Sequence, residues 1–191
     1  MKLYHGSPVA GLAALVPSVT PYFGKPRQVC LSGCKPMALL YGIRNFEYTY
    51  GYSKDGRLQY VEYFPDALEK LYRGKSASLY LCSRQERMQT TDIPNEFVSA
   101  ETVPVEAEIQ VPDLCAALLE EERLDSMEII RWQSLTADRR AWITAVEKNE
   151  ILEAGLMAAP DSPRARYMMD KYPESWAMAR LEMEDDNESA Q

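Results

Sequence analysis

The chain has 191 residues, 46% of them hydrophobic and 26% charged, and a net charge of −8. Such a length and balance suit one globular domain, or one domain with an appendage, and exclude collagen-like, coiled-coil, mucin-like and wholly disordered readings. No apolar run approaches the ~18 residues of a membrane helix, so no membrane association is expected. The acidic balance also lacks the basic footprint of a general nucleic-acid binder.

The opening Met1-Lys2-Leu3-Tyr4-His5-Gly6-Ser7 lacks the basic-then-apolar layout of a secretory signal. A cytoplasmic location is expected, or export by a route without a signal peptide. Lys2 to His5 reads as a short strand ending at Gly6, and a loop with Pro17, Pro21, Gly24 and Pro26 follows. Gln28 to Ser32 reads as an apolar strand. Lys35 to Ile43 reads as a helix with Pro36 in its first turn. Residues 46–64 alternate as a hairpin around Lys54-Asp55-Gly56-Arg57, where Asp-Gly predicts a type I′ turn.

Pro65 to Arg73 is an expected short helix, with Gly74 just past its end. Strands are expected at Ser76 to Cys82, from Glu96 to Ser99, over Val103 to Val111 and at Met127 to Trp132. A helix from Pro112 to about Arg123 interrupts the last two. Two helices then close the chain, Ala137 to Ala154 and Pro163 to about Met183. Asp161-Ser162-Pro163 offers a capping side chain and a proline at the first helical position.

Strands first and helices afterwards give an α+β class rather than an alternating parallel sheet. The expected organisation is a core over 1–135, a helical appendage over 136–181 packed on it, and a disordered acidic tail over 182–191. That tail holds Glu182, Glu184, Asp185, Asp186 and Glu188; without it the body carries only −3 of the −8. The four cysteines, Cys30, Cys34, Cys82 and Cys115, form no Cys-x-x-Cys pair. The one histidine lies far off in sequence at position 5, so no metal site is expected. Cys82 and Cys115 sit in apolar runs and read as small buried side chains.

Three short segments carry the candidate chemistry. His5 closes an apolar strand and is followed at once by Gly6, which lets a ligand approach the backbone. Phe23-Gly24-Lys25, Val29-Cys30-Leu31-Ser32 and Ala38-Leu39-Leu40-Tyr41 form a loop, a strand and a helix ending in tyrosine. Asn95-Glu96-Phe97-Val98 opens a strand with a carboxylate among apolar neighbours, where burial costs energy unless the group is paired or used. Taken singly, each has an ordinary structural reading. A lone histidine is usually a satisfied polar group, a strand and helix are usually core packing, and a strand-end acid is usually exposed.

Taken together, in this order, the segments resemble the ADP-ribosyltransferase superfamily, in its His-Tyr-Glu branch that includes diphtheria toxin and the poly(ADP-ribose) polymerases. The resemblance spans roughly residues 3–110. It implies an α+β fold with a split antiparallel β core, flanking helices and a C-terminal helical appendage, and an NAD-dependent, toxin-like transferase activity. His5 would hydrogen-bond a ribose hydroxyl of NAD, and the backbone of Gly6 would hold the nicotinamide amide. Tyr41 would stack on the nicotinamide ring, with Tyr22 or Phe23 as a second aromatic contact. Ser7 would assist through its hydroxyl. Glu96 would bind the 2′-hydroxyl and stabilise the oxocarbenium-like state as nicotinamide leaves.

The chain departs from that pattern at Ala38, where the polymerases carry a serine, and at Cys30, where they carry an aromatic. Glu106 and Glu108 give an alternative Glu-x-Glu pair on the next strand, with both side chains on one face. That spacing is similar to the arginine-modifying branch, but its strand arginine and Ser-Thr-Ser run are not visible.

Two other readings use the same residues. One is an NAD-dependent RNA 2′-phosphotransferase, which needs arginines gripping phosphates. Arg27, Arg44, Arg57, Arg73 and Arg84 are scattered, and the acidic balance disfavours RNA. The other is a non-catalytic module binding NAD or a protein. A macromolecular acceptor is expected, protein rather than nucleic acid, and the C-terminal helices offer an apolar stripe for a protein partner. The tyrosines at 48, 50, 52, 60 and 63 read as sheet packing.

Overall fold

The computed structural model describes residues 1–18 and 27–189, with side chains through Asp185. The fold is α+β, with antiparallel sheets and α-helices. Contacts divide the chain into two units. The first comprises Met1–Tyr60 and Leu68–Ile129, the second Val61–Ala67 and Ile130–Gln191. Among the described residues no helix is long and apolar enough to cross a membrane.

The first unit starts with β1, Lys2–Ser7, a two-residue β2, Ala14–Leu15, and β3, Val29–Ser32. Helix α1, Lys35–Leu40, follows. Its first turn accepts Pro36, whose missing N–H would be unsatisfied there anyway. The hairpin strands are β4, Tyr50–Tyr52, and β5, Leu58–Val61. Their loop is not the expected type I′ turn. Gly56 alone takes a positive φ, of 84°, while Asp55 does not. Gly56 N donates to Ser53 O and Ser53 N donates to Arg57 O, a three-residue loop that needs one left-handed residue rather than two.

Helix α2, Ala67–Tyr72, precedes β6, Ala77–Ser83, and β7, Gln89–Thr90. The strand β8, Glu96–Ser99, comes next. The single strand expected over Val103 to Val111 is two. β9, Val103–Pro104, pairs with β2, and β10, Ala107–Val111, pairs with β6. The segment changes sheets at the residues between them, next to a proline that cannot donate to a ladder. Helix α3, Leu114–Arg123, is capped by the Asp113 carboxylate, which accepts from Ala116 N. β11, Met127–Ile130, follows.

The main sheet runs β10-β6-β1-β3-β8-β7, so β1 and β3 occupy its centre. One apolar layer lies on α1 and gathers Met37, Leu39, Leu40, Tyr60, Leu79, Leu114 and Leu118. The opposite layer gathers Leu3, Leu15, Leu31, Tyr80, Cys82 and Phe97. Leu79 and Tyr80 fall in different layers because successive side chains on a strand point to opposite faces. Cys82 and Cys115 are buried.

The second unit is mostly helical: α4, Ala137–Glu153, α5, Pro163–Lys171, and α6, Pro173–Ser189. Thr136 caps α4, and Ser162 caps α5 directly before Pro163. The single helix expected from Pro163 is broken at Tyr172-Pro173, because a proline inside a helix removes one N–H and clashes with the preceding turn. Residues 61–67 and 130–135 belong with these helices rather than with the core expected over 1–135. Glu62 N donates to Ile130 O, the Glu62 carboxylate accepts from Trp132 N, and Tyr63 meets Trp142 edge-on.

The expected disordered tail is also different, since α6 is helical as far as Ser189. Its first half is anchored by buried Ser175 and Ala179, by the Ser175 hydroxyl donating to Thr144 O, and by the Lys148–Glu182 ion pair. A helix nucleated there extends at little further cost.

Candidate active site

The site is built where the described pairing of β1 with β3 ends. Hydrogen bonds from Arg84 N to Met1 O and from Glu106 N to Leu81 O set the phase of β1 against β6. Main-chain groups of alternate residues point to alternate sides. Leu3, His5 and Ser7 therefore bond towards β6, and Tyr4 and Gly6 point towards β3. Tyr4 pairs with Ser32, and the described β1–β3 pairing stops there. Gly6 thus turns its N–H and C=O into a gap. Across that gap the Cys30 carbonyl accepts from His5 Nδ1 at 2.8 Å.

A carbonyl only accepts, so Nδ1 carries the proton and, in the neutral ring, Nε2 is left as an acceptor. Burial holds the His5 pKa below its ordinary value, partly offset by the bond to the Cys30 carbonyl, so the ring is neutral at pH 7.

Gly6 has a second reason to be glycine. A Cβ there would lie 1.8 Å from the Ala38 carbonyl oxygen, so β1 and α1 meet backbone to backbone. This close approach brings the end of α1, and with it Tyr41, to the end of the β1–β3 pairing. The Tyr41 ring lies 4.4 Å from that of Tyr48, and its hydroxyl is 3.0 Å from that of Tyr50. Burial, then the Tyr50 bond, and then the nearby Glu96 charge push the Tyr41 hydroxyl well above its ordinary pKa, so it stays neutral.

Glu96 opens β8 opposite Ser32. Asn95 before it takes a φ of 61°, a turn conformation that asparagine tolerates, and Gly33 N donates to Asn95 O. The Thr91 hydroxyl donates to Glu96 Oε2 at 2.6 Å.

These segments enclose a cavity of about 440 Å³ whose lining includes His5, Gly6, Ser7, Ala38, Tyr41, Tyr48 and Glu96. Ser7 is 8% exposed, and its hydroxyl oxygen accepts from Val9 N. Among the described residues the lining contains one carboxylate and no lysine or arginine. Tyr22 and Phe23 lie outside the described residues.

Glu106 and Glu108 do not line the cavity. Glu106 is exposed. Glu108 instead ties down the loop after β1, accepting from Ser78 Oγ at 2.6 Å and from Gly11 N. These bonds, the Ser78 one foremost, hold its carboxyl below the usual range.

Sequence reasoning missed Tyr48, Tyr50 and Thr91 as members of the site. The tyrosines read equally well as sheet packing. The one local signal for Thr91 is the Thr-Asp-Ile-Pro-Asn run that ends at Glu96.

No known protein family, curated protein or solved structure matches the chain. The described lining brings an aromatic side chain, a neutral imidazole, the Gly6 main chain and one carboxylate together.

Proposed function

We propose that the chain is an NAD-consuming ADP-ribosyltransferase with a macromolecular acceptor. The observation that supports it best is the convergence of His5, Gly6, Tyr41 and Glu96, distant in sequence, on one cavity beside the end of the β1–β3 pairing. NAD supplies a cationic nicotinamide leaving group on a ribose carbon, and its pieces match the groups present. His5 Nε2 accepts a ribose hydroxyl. The Gly6 N–H and C=O pair with the carboxamide. Tyr41, backed by Tyr48, stacks on the ring.

Glu96 accepts the 2′-hydroxyl and faces the carbon from which nicotinamide departs. The C–N bonding pair leaves with nicotinamide, positive charge grows on the ribose, and the fixed carboxylate stabilises it before the acceptor's nucleophile bonds to that carbon. Ser7, with its hydroxyl oxygen engaged, still has a proton to donate.

The acidic chain and a cavity without described cations favour a protein acceptor and disfavour the RNA 2′-phosphotransferase reading. Exposed Trp142 and Met178 on α4 and α6 suit a protein partner. Ala38 favours a second reading. Its methyl group replaces the hydroxyl that would add a contact to the carboxamide, as expected of a module that binds NAD without consuming it.

Release of nicotinamide from NAD by the purified chain, with cell lysate as acceptor, tests between them. The transferase reading expects release that collapses in Glu96→Gln. The binding module expects NAD binding with no release.

A further inference from the structure

We infer that Thr91 is a positioning residue for the Glu96 carboxylate, an inference that rests on the transferase reading above. The Thr91 hydroxyl oxygen accepts from Ile93 N at 3.1 Å, and its proton goes to Glu96 Oε2 at 2.6 Å. The direction of the chain is fixed, because an N–H only donates and a carboxylate only accepts. Each bond polarises the next, which strengthens the bond to the carboxylate.

The turn carrying both residues is itself held. Glu96 N donates to Ile93 O, and Gly33 N ties Asn95 O to the strand before α1. The Tyr52 hydroxyl of the hairpin donates to Pro94 O at 3.0 Å. A glutamate has three rotatable bonds, and a backbone anchor alone does not fix its carboxylate. Thr91 immobilises Oε2 from within the turn and leaves Oε1 to take the sugar hydroxyl. The chain does not need a charged partner for Glu96: the described lining of the cavity contains no lysine or arginine.

A positioned carboxylate matters more to the transition state than to bound NAD. Removing the hydroxyl should therefore lower kcat and leave KM nearly unchanged. The experiment measures nicotinamide release over a range of NAD concentrations by the full chain and by Thr91→Val, Thr91→Ala, Thr91→Ser and Glu96→Gln. Thr91→Val keeps the shape without the hydroxyl, Thr91→Ser keeps the hydroxyl without the methyl group, and Thr91→Ala is a second hydroxyl-free variant.

Both hydroxyl-free variants are expected to lose kcat by roughly ten- to a hundredfold. Their KM for NAD, and both constants of Thr91→Ser, should stay within about threefold of wild type. Wild-type kcat in either hydroxyl-free variant overturns the inference. Thr91→Ser as damaged as Thr91→Val does so too, since it marks a packing role. In both cases Glu96-dependent release by the wild type leaves the transferase reading standing. Release that survives Glu96→Gln, or none at all, removes that reading and the inference with it.

Discussion

His5 on β1 donates its Nδ1 hydrogen to the carbonyl of Cys30 on β3, 2.8 Å away, at the position where the two strands cease to pair. The ring bridges the two strands there, and His5 lines the cavity. That role needs a neutral imidazole. Burial keeps the folded pKa below the ordinary 6.5. The unfolded chain therefore takes up this proton first as pH falls, and stability rises with pH between the folded value and 6.5. His5 is the chain's one histidine, so its proton resonance can be followed without ambiguity. A midpoint below 6.5 is expected, together with a decline in stability as pH drops through that window. His5→Gln should remove that component of the decline.

Gly6→Ala should damage the fold before it damages chemistry. The new Cβ would stand 1.8 Å from the Ala38 carbonyl oxygen, a backbone atom that cannot rotate away. A loss of at least about 3 kcal/mol is expected, at the upper end of overpacking costs. Urea unfolding monitored by circular dichroism reads it, and an unchanged midpoint would show that β1 and α1 are not packed this closely.

Tyr41 separates ring from hydroxyl. Tyr41→Phe keeps the stack on Tyr48 and loses only the bond to Tyr50, so NAD affinity should change by less than about threefold. Tyr41→Ala removes the platform and should weaken binding by about tenfold or more, the value of about 1–3 kcal/mol for aromatic stacking. Calorimetric titration with NAD distinguishes the two. Equal losses would place the hydroxyl, not the ring, at the ligand.

Glu108 is expected to act on stability and not on the reaction. Its carboxylate accepts from Ser78 and Gly11, and its folded pKa is held below 4.5. The sign follows from linkage. This stabilisation is present above about pH 4.5 and is lost as pH falls through the folded value. Glu108→Gln should lower the melting temperature at pH 7 and flatten its acid dependence, with nicotinamide release per folded molecule kept. Loss of release without loss of stability would return Glu108 to the list of catalytic carboxylates.

Much of the frame was legible because its signals are local. The apolar alternation of β1 and β3, Pro36 at the head of α1 and Ser162-Pro163 at the head of α5 each mark an element within a few residues. Pro173 is an equally local signal, since a proline inside a helix breaks it. The acidic residues after Glu182 carry a different signal. Composition speaks for solvation, but a helix already anchored by Ser175 and Ala179 extends through such residues easily.

At the site, His5 and Glu96 stood out as polar groups next to apolar strands. Thr91, Tyr48 and Tyr50 did not, because their roles depend on the side-chain geometry of a turn and on a hairpin folded against α1. Neither relation has a sequence period.

One sample each of wild type, Glu96→Gln and Glu108→Gln is read twice, for NAD bound and for nicotinamide released. Transfer through Glu96 predicts binding in all three, and release in the wild type and Glu108→Gln that falls by at least about a hundredfold in Glu96→Gln. Binding with no release from the wild type, or release that Glu96→Gln leaves intact, would contradict it.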